Sequence, residues 1–247
     1  MYWNLLKPQT GSPEEMARLN NDPNIVKTPV SSVFLASTFT LLSEDLGLRR
    51  SADTNESKLG DGSPVPMMSY ALIEYLNGLD LSGFDVLEIG GGLSTDFWAA
   101  RAKSVTTLET DAAWVKQTAE RNPKAVVEHV AGPLSDRIAA FDRTFGVVVI
   151  DPSANRLACA RAALPKLEKG GFIILDNSDW YPNTSKLLRE ADLIEVDFHD
   201  FRPCHHFRAT ASIYLTRDFR PKPKGPRLPL SPIGGKQIAL NGWDIER

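Results

Sequence analysis

Cysteine is nearly missing from this chain: Cys159 and Cys204 are the two among 247 residues, and neither belongs to a CxxC pair. That scarcity excludes a disulfide framework and a thiolate zinc site, and it fits a reducing, cytoplasmic setting. A surplus of charge is missing too, with 28 basic residues against 31 acidic and a net charge of −3. No global field draws such a surface to nucleic acid or to an anionic membrane. Long apolar runs are also absent. The most apolar early stretch, residues 33–42, is broken by Ser37, Thr38 and Thr40, and no uncharged aliphatic run approaches the roughly 18 residues that a bilayer crossing needs. The sequence therefore reads as having no signal peptide, no membrane span, no internal repeat and no heptad pattern.

What is present is the balance of a folded protein, 42% hydrophobic and 9% aromatic, at a length that suits one large core with appendages. Ser12-Pro13-Glu14-Glu15 combines a serine cap, proline at the first helical position and glutamate three residues after the cap, which predicts a short helix. Residues 43–63 carry many charges and three glycines and read as a surface loop. These features make residues 1–60 an N-terminal helical arm and loop. From residue 61 to 219 the pattern is regular. Apolar runs at 85–89, 104–109, 126–130, 147–151 and 172–176 predict strands. Helical spacing at 68–77, 96–103, 112–121, 134–141, 156–167 and 184–191 predicts the helices between and around them. Repeated strand–helix–strand units imply an α/β doubly wound, Rossmann-like parallel sheet. Runs at 193–198 and 209–216 have no helix-length segment between them and should pair antiparallel. Residues 220–247 form a tail with prolines at 221, 223, 226, 229 and 232, a composition that favours extended, loosely held chain.

The strongest chemical signal is the run Asp85-Val-Leu-Glu-Ile-Gly-Gly-Gly-Leu-Ser-Thr95. A buried strand enters Gly90, Gly91 and Gly92, and Ser94 or Thr95 then caps a helix. Such a turn lets backbone N–H groups approach a ligand closely. Glu109 ends the next strand, where a carboxylate can accept hydrogen bonds from both hydroxyls of a ribose. Together they imply a nucleoside ligand. The aromatics Phe97, Trp98 and Trp114 recur at helical spacing and read as core, whereas Trp180-Tyr181, after the fifth strand, reads as pocket lining.

In these residues the chain resembles the class I, Rossmann-like methyltransferases that bind S-adenosylmethionine. Their first motif runs acid-x-Gly-x-Gly-x-Gly, and Glu88-Ile-Gly90-Gly-Gly92-Leu-Ser94 matches it except at Ser94. The likeness spans about residues 60–219 and looks like a bacterial-type branch. It implies strand order 3-2-1-4-5-7-6 with the last strand antiparallel. It also implies that Glu88, Gly90, Gly91, Gly92, Ser94 and Thr95 hold the amino-acid end of the cofactor, that Glu109 holds the ribose, and that Asp151 adjoins the cofactor. The expected activity is methyl transfer to the oxygen or nitrogen of a small-molecule acceptor. The arm, apolar at Val33, Phe34 and Leu35, is expected to cap the acceptor pocket or the seam of a homodimer.

Other readings of the glycine turn stay open. A nicotinamide-dependent oxidoreductase would need glycine where Thr95 stands. An aminopropyltransferase usually carries paired aspartates after the fourth strand, where Asp151-Pro-Ser-Ala154 shows one. A non-catalytic cofactor-binding or scaffold protein would keep the turn and lack turnover. For catalysis, Asp151 and His206 are the candidates. His206 lies with His199 and His205 around the link between the last two strands, and histidine can take a proton near neutrality. Asp151, Asp176 and Asn177 also resemble the set with which catechol-type O-methyltransferases hold a divalent cation. The resemblance therefore implies Mg²⁺ there, the alternative being that Asp151 contacts only cofactor or a loop N–H while Asp176-Asn177 makes a turn.

Overall fold

The computed structural model describes residues 30–226 and 228–235; the helix start expected at Ser12 lies outside the described residues. The chain opens with helix α1 (Val30–Thr40), continues into a π-helical turn (Leu41–Asp45) and then α2 (Leu48–Thr54) and α3 (Tyr70–Gly78). Strands and helices then alternate: β1 (Asp85–Ile89), α4 (Leu93–Ala99), β2 (Ser104–Glu109), α5 (Ala112–Arg121), β3 (Val126–His129), α6 (Leu134–Ala139), β4 (Phe145–Ile150), α7 (Arg156–Ala163) and β5 (Leu167–Asp176). After α8 (Pro182–Glu190), β6 (Ile194–Phe201) and β7 (Arg208–Leu215) close the sheet.

The seven strands lie in the order β3-β2-β1-β4-β5-β7-β6. All neighbours as far as β5 are parallel, and β7 runs antiparallel to both β5 and β6. The expected topology is the observed one. Period-2 geometry explains the continuous apolar reading of β4: Val147 and Val149 enter one core cluster, Val148 and Ile150 the other, and all four are buried. The first cluster holds α3 through Leu72, Ile73 and Leu76, and α4 through Phe97 and Trp98. The second holds α6, α7 and α8 through Ile138, Cys159 and Leu188. Each such aliphatic side chain contributes about 1.5–3 kcal/mol of transfer free energy on full burial. Because strand order reverses on either side of β1, the carboxyl ends of β1 and β4 form a topological switch point, where open α/β sheets take their ligands.

Two segments differ from the sequence reading. Residues 43–63 do not form a surface loop. Leu46 and Leu59 enter the first core cluster, Ser51 and Ser57 are fully buried, and Gly60 N–H donates to the Asp45 carbonyl at 3.1 Å. Leucines set among charges supply enough apolar surface to fold this segment against the sheet as a cover. The described part of the tail, residues 220–226 and 228–235, is docked. Residues 79 and 223 form a bridge, Lys224 N–H donates to Gly78 O, and Ile233 packs on the core while its N–H donates to Glu74 Oε1 at 2.5 Å. Helix α1 leaves Phe34, Leu35 and Phe39 about 70% exposed (67%, 72% and 69%) and carries no charged residue. Among the described residues no helix is long and apolar enough to cross a membrane.

Candidate active site

The turn after β1 is fixed by its neighbours. Gly90 sits at φ +87°, and a Cβ there would lie 2.4 Å from the Asp151 carbonyl oxygen, so both conformation and contact require glycine. A Cβ at Gly91 would lie 2.3 Å from Cγ2 of Thr107. The glycines thus draw the turn down onto the ends of β2 and β4. Glu88 anchors it from below. Its carboxylate, fully buried, accepts hydrogen bonds from Ser94 Oγ (2.6 Å), Thr95 Oγ1 (2.5 Å) and Thr107 Oγ1 (2.8 Å). Burial pushes Glu88 up to about pH 7 against the downward pull of the three hydroxyls.

Glu109, at the end of β2, ties the same turn from the side. Oε2 accepts from Gly91 N–H at 3.0 Å, while Oε1 takes the N–H groups of Thr110 and Asp111 at 2.6 and 2.9 Å. A carboxylate oxygen has two acceptor positions, so Oε2 keeps one for a ligand. These groups open onto a cleft of about 410 Å³ whose lining includes Gly90–Gly92, Glu109, Trp114 and Asp151. That volume lies within the usual range for cofactor sites, about 300–1,000 Å³. Asn55 and Met67, from the cover, line it as well.

Asp151, Arg156 and Arg202 line the far end of the cleft, with Asp176 buried behind them. Arg156, at the start of α7, donates from Nη2 to Asp151 Oδ1 at 2.6 Å, from Nε to Pro152 O at 2.9 Å and from Nη1 to the Asp176 carbonyl. Its guanidinium also lies over the Tyr181 ring, 4.3 Å from the centroid. Arg202, just past β6, stands with Nη1 3.4 Å from Asp176 Oδ2. The Asn177 amide bridges this pair when its nitrogen faces Asp176 Oδ2 and its oxygen accepts from Arg202 Nη1, each at 2.7 Å. Burial, and then the neighbouring Asp151 charge, push Asp176 up to about 8.

Of the residues singled out from sequence, Gly90, Gly91, Gly92, Ser94, Glu109 and Asp151 line the cleft. Glu88 and Thr95 lie beneath the turn, spent on each other, and hold its shape from outside the lining. His206 is exposed, stands edge-on to Phe207 and is not among the lining residues. Trp180 is 59% exposed and Tyr181 supports Arg156, so neither lines the cleft. Trp114 departs from its core reading: it is 38% exposed and lines the cleft beside Gly92. The expected Mg²⁺ set does not fit a divalent ion. Asp151 and Asp176 are each paired with an arginine, so a second positive charge there would meet guanidinium groups already in place. The β6–β7 link that carries His206 contributes Arg202 to the lining, a residue the sequence reading does not single out.

The strand order, with the glycine turn at its switch point, is that of a doubly wound, Rossmann-like sheet. Residues 87–178, from inside β1 to just beyond β5, match the family model described as a methyltransferase domain. A search of curated proteins gave no match. Among solved structures, the putative caffeoyl-CoA O-methyltransferase from Staphylococcus aureus is similar at 16% identity and a TM-score of 0.49, covering 76% of this chain and 99% of its own. N-methyltransferase NodS from Bradyrhizobium japonicum WM9 is similar at 15% identity and a TM-score of 0.46, over 59% and 92%. The O-methyltransferase TomG from Streptomyces achromogenes, solved in complex with SAM, is similar at 17% identity and 0.45, over 60% and 77%.

Proposed function

We propose that the chain binds S-adenosylmethionine in the cleft above Gly90–Gly92 and transfers its methyl group to an oxygen or nitrogen of a small-molecule acceptor. The observation that carries this reading is the joint tie of the glycine turn and Glu109: the Gly91 N–H bond leaves Glu109 Oε2 one free acceptor position for a ribose hydroxyl. Bound there, the cofactor supplies a methyl already activated on a sulfonium. The chain's own work is then to orient and to exclude water. Gly92, without a side chain, leaves room beside Trp114. The Trp114 ring offers an apolar face to a nucleoside. Asn55 and Met67 line the cleft from the cover, and Asp151 lines it beside Arg156 and Arg202, which supports a place for the acceptor at that end.

Calorimetry tests the cofactor. S-adenosylmethionine and its demethylated product should bind with micromolar-scale affinity and NAD should not, since the turn and Glu109 serve a single nucleoside. Binding of NAD alone would overturn the reading. Mass spectrometry of the denatured extract provides an independent check, with the demethylated cofactor expected to copurify.

A further inference from the structure

We infer that Arg202 is a built-in cation that binds the acceptor through an oxygen bearing negative charge, which makes oxyanions such as phenolates the acceptor class. This deepens the methyltransferase reading and rests on it. Arg202 lines the same cleft as the glycine turn, yet its side chain is only 8% exposed, an unusual placement for arginine. It is held there from three sides. Asp176 and Asn177 face its guanidinium, Pro203 beside it is buried, and the N–H of Cys204 donates to Ser51 Oγ of the cover at 3.0 Å. A guanidinium pinned in this way loses little freedom when it meets a ligand.

The hydrogen-bond inventory also points to a ligand. Arg202 Nε and Asp176 Oδ1 are both buried and both lack a partner within the protein. Buried polar groups are nearly always satisfied, so an orphaned donor on a residue that lines the cleft marks a position open to an acceptor atom of a ligand. Charge favours an anion. Asp151 Oδ1 holds Arg156 Nη2 at 2.6 Å, whereas Arg202 Nη1 stands 3.4 Å from Asp176 Oδ2, and burial pushes the Asp176 carboxyl up, so Arg202 is the less compensated of the two guanidinium groups. Glu109, the other acid lining the cleft, is directed at the backbone of its own loop and of Gly91.

The role explains why two arginines stand where the sequence resemblance implied a divalent ion. A metal would lower the pKa of an acceptor hydroxyl, and a fixed guanidinium does the same through its charge. The acceptor is then bound after its proton has passed to water. Its oxygen lone pair forms the new O–C bond as the C–S bond breaks, and that electron pair returns to sulfur. An oxyanion and a sulfonium become a neutral ether and a neutral thioether, so no further reactant is required.

4-Nitrophenol is a suitable probe, because its phenolate absorbs visible light and it ionises near neutrality. The protein loaded with demethylated cofactor should bind the phenolate and lower the apparent pKa of the probe by about one unit, a typical effect of one nearby charge. Arg202→Gln should abolish the spectral shift and weaken phenolate binding about tenfold, as expected for losing a charge-assisted contact, while Arg202→Lys keeps part of both. Should the glutamine variant fail to fold by circular dichroism, the native protein alone decides. It should prefer the phenolate over neutral 4-nitroanisole by about tenfold. Equal binding of the two, an unshifted spectrum, no phenolate binding at millimolar concentration, or a shift that persists in a folded Arg202→Gln variant would each overturn the proposal. If the demethylated cofactor itself does not bind, the methyltransferase reading fails separately, and the probe titration on the free protein still judges Arg202.

Discussion

Replacing Glu88 by glutamine should change how stability responds to pH. The carboxyl is fully buried, and burial raises it from 4.5 to about 7 even though three hydroxyls donate to it. Below pH 4.5 both folded and unfolded chains hold the proton, and the native state bears no charge at this position. Between 4.5 and 7 the unfolded chain ionises first, so folding takes up a proton and stability falls as pH rises. Above 7 the full penalty of the buried charge is present, about 3.4 kcal/mol at about 1.4 kcal/mol per pH unit. Glutamine cannot ionise, keeps the shape and retains an oxygen for the hydroxyls. Between pH 5 and pH 8 the native protein should therefore lose about 2.5 kcal/mol relative to Glu88→Gln, or roughly 5–10 °C in Tm for a chain of this size. Asp151 and Asp176, also raised, steepen the pH response of both proteins, and the Asp151 charge is itself a minor cause of the Glu88 shift. Urea unfolding of the two proteins at both pH values measures the difference. Parallel stability curves would refute the reasoning, because Glu88 would then be ionised throughout.

The cleft yields further expectations. Trp114→Ala should weaken cofactor binding about tenfold, within the roughly 1–3 kcal/mol that an aromatic ring contributes to a stacked base, and leave thermal stability nearly unchanged; calorimetry and a melting curve separate the two effects. Gly90→Val should unfold or severely destabilise the chain, since φ +87° and the Asp151 backbone both oppose a side chain there, whereas Gly92→Ala, where the nearest atom is Trp114 Nε1 at 3.2 Å, should fold and lose cofactor affinity. Exhaustive chelation should leave both methyl transfer and Tm unchanged, because arginines occupy the acids that a cation would need; restoration of activity by added Mg²⁺ would count against this. Deleting residues 1–40, which spares Leu41 and Leu42 on the core, should impair acceptor turnover or self-association more than cofactor affinity, as turnover assays and sedimentation would report.

The sheet was legible because its signals are local and redundant. β1 and β2 have the predicted limits, 85–89 and 104–109, since each is an apolar run bounded by turn residues. Helix α4 was misplaced by three residues at its start, 93 against 96, because the helix begins as soon as the glycines end. Glycine turn and Glu109 were legible as a pair for the same reason: each marks the end of a strand. Arg202 was not legible. Its importance depends on burial against Asp176, a residue 26 positions away in sequence on a non-adjacent strand, and no spacing rule encodes that approach. Trp114 was misread because the α5 face that holds it turns toward the cleft instead of the core, and helical periodicity identifies a face without saying what it meets.

The position of β7 between β5 and β6 bears on the order in which the molecule can be assembled. β6 pairs with β7 alone, so during synthesis it emerges with no strand to bind until the chain has turned at residues 202–207 and returned. Until then an eight-residue strand with Ile194 and Val196 on its surface presents unpaired backbone, the kind of edge through which chains associate wrongly. β1 to β4 can meanwhile pair and form the glycine turn. The end of the cleft that carries Arg202 must wait for β7, and so must the hydrogen bond from Cys204 that pins the cover across 153 positions of sequence. A chain interrupted after β5 would therefore keep the glycine turn while lacking the whole wall contributed by the β6–β7 link.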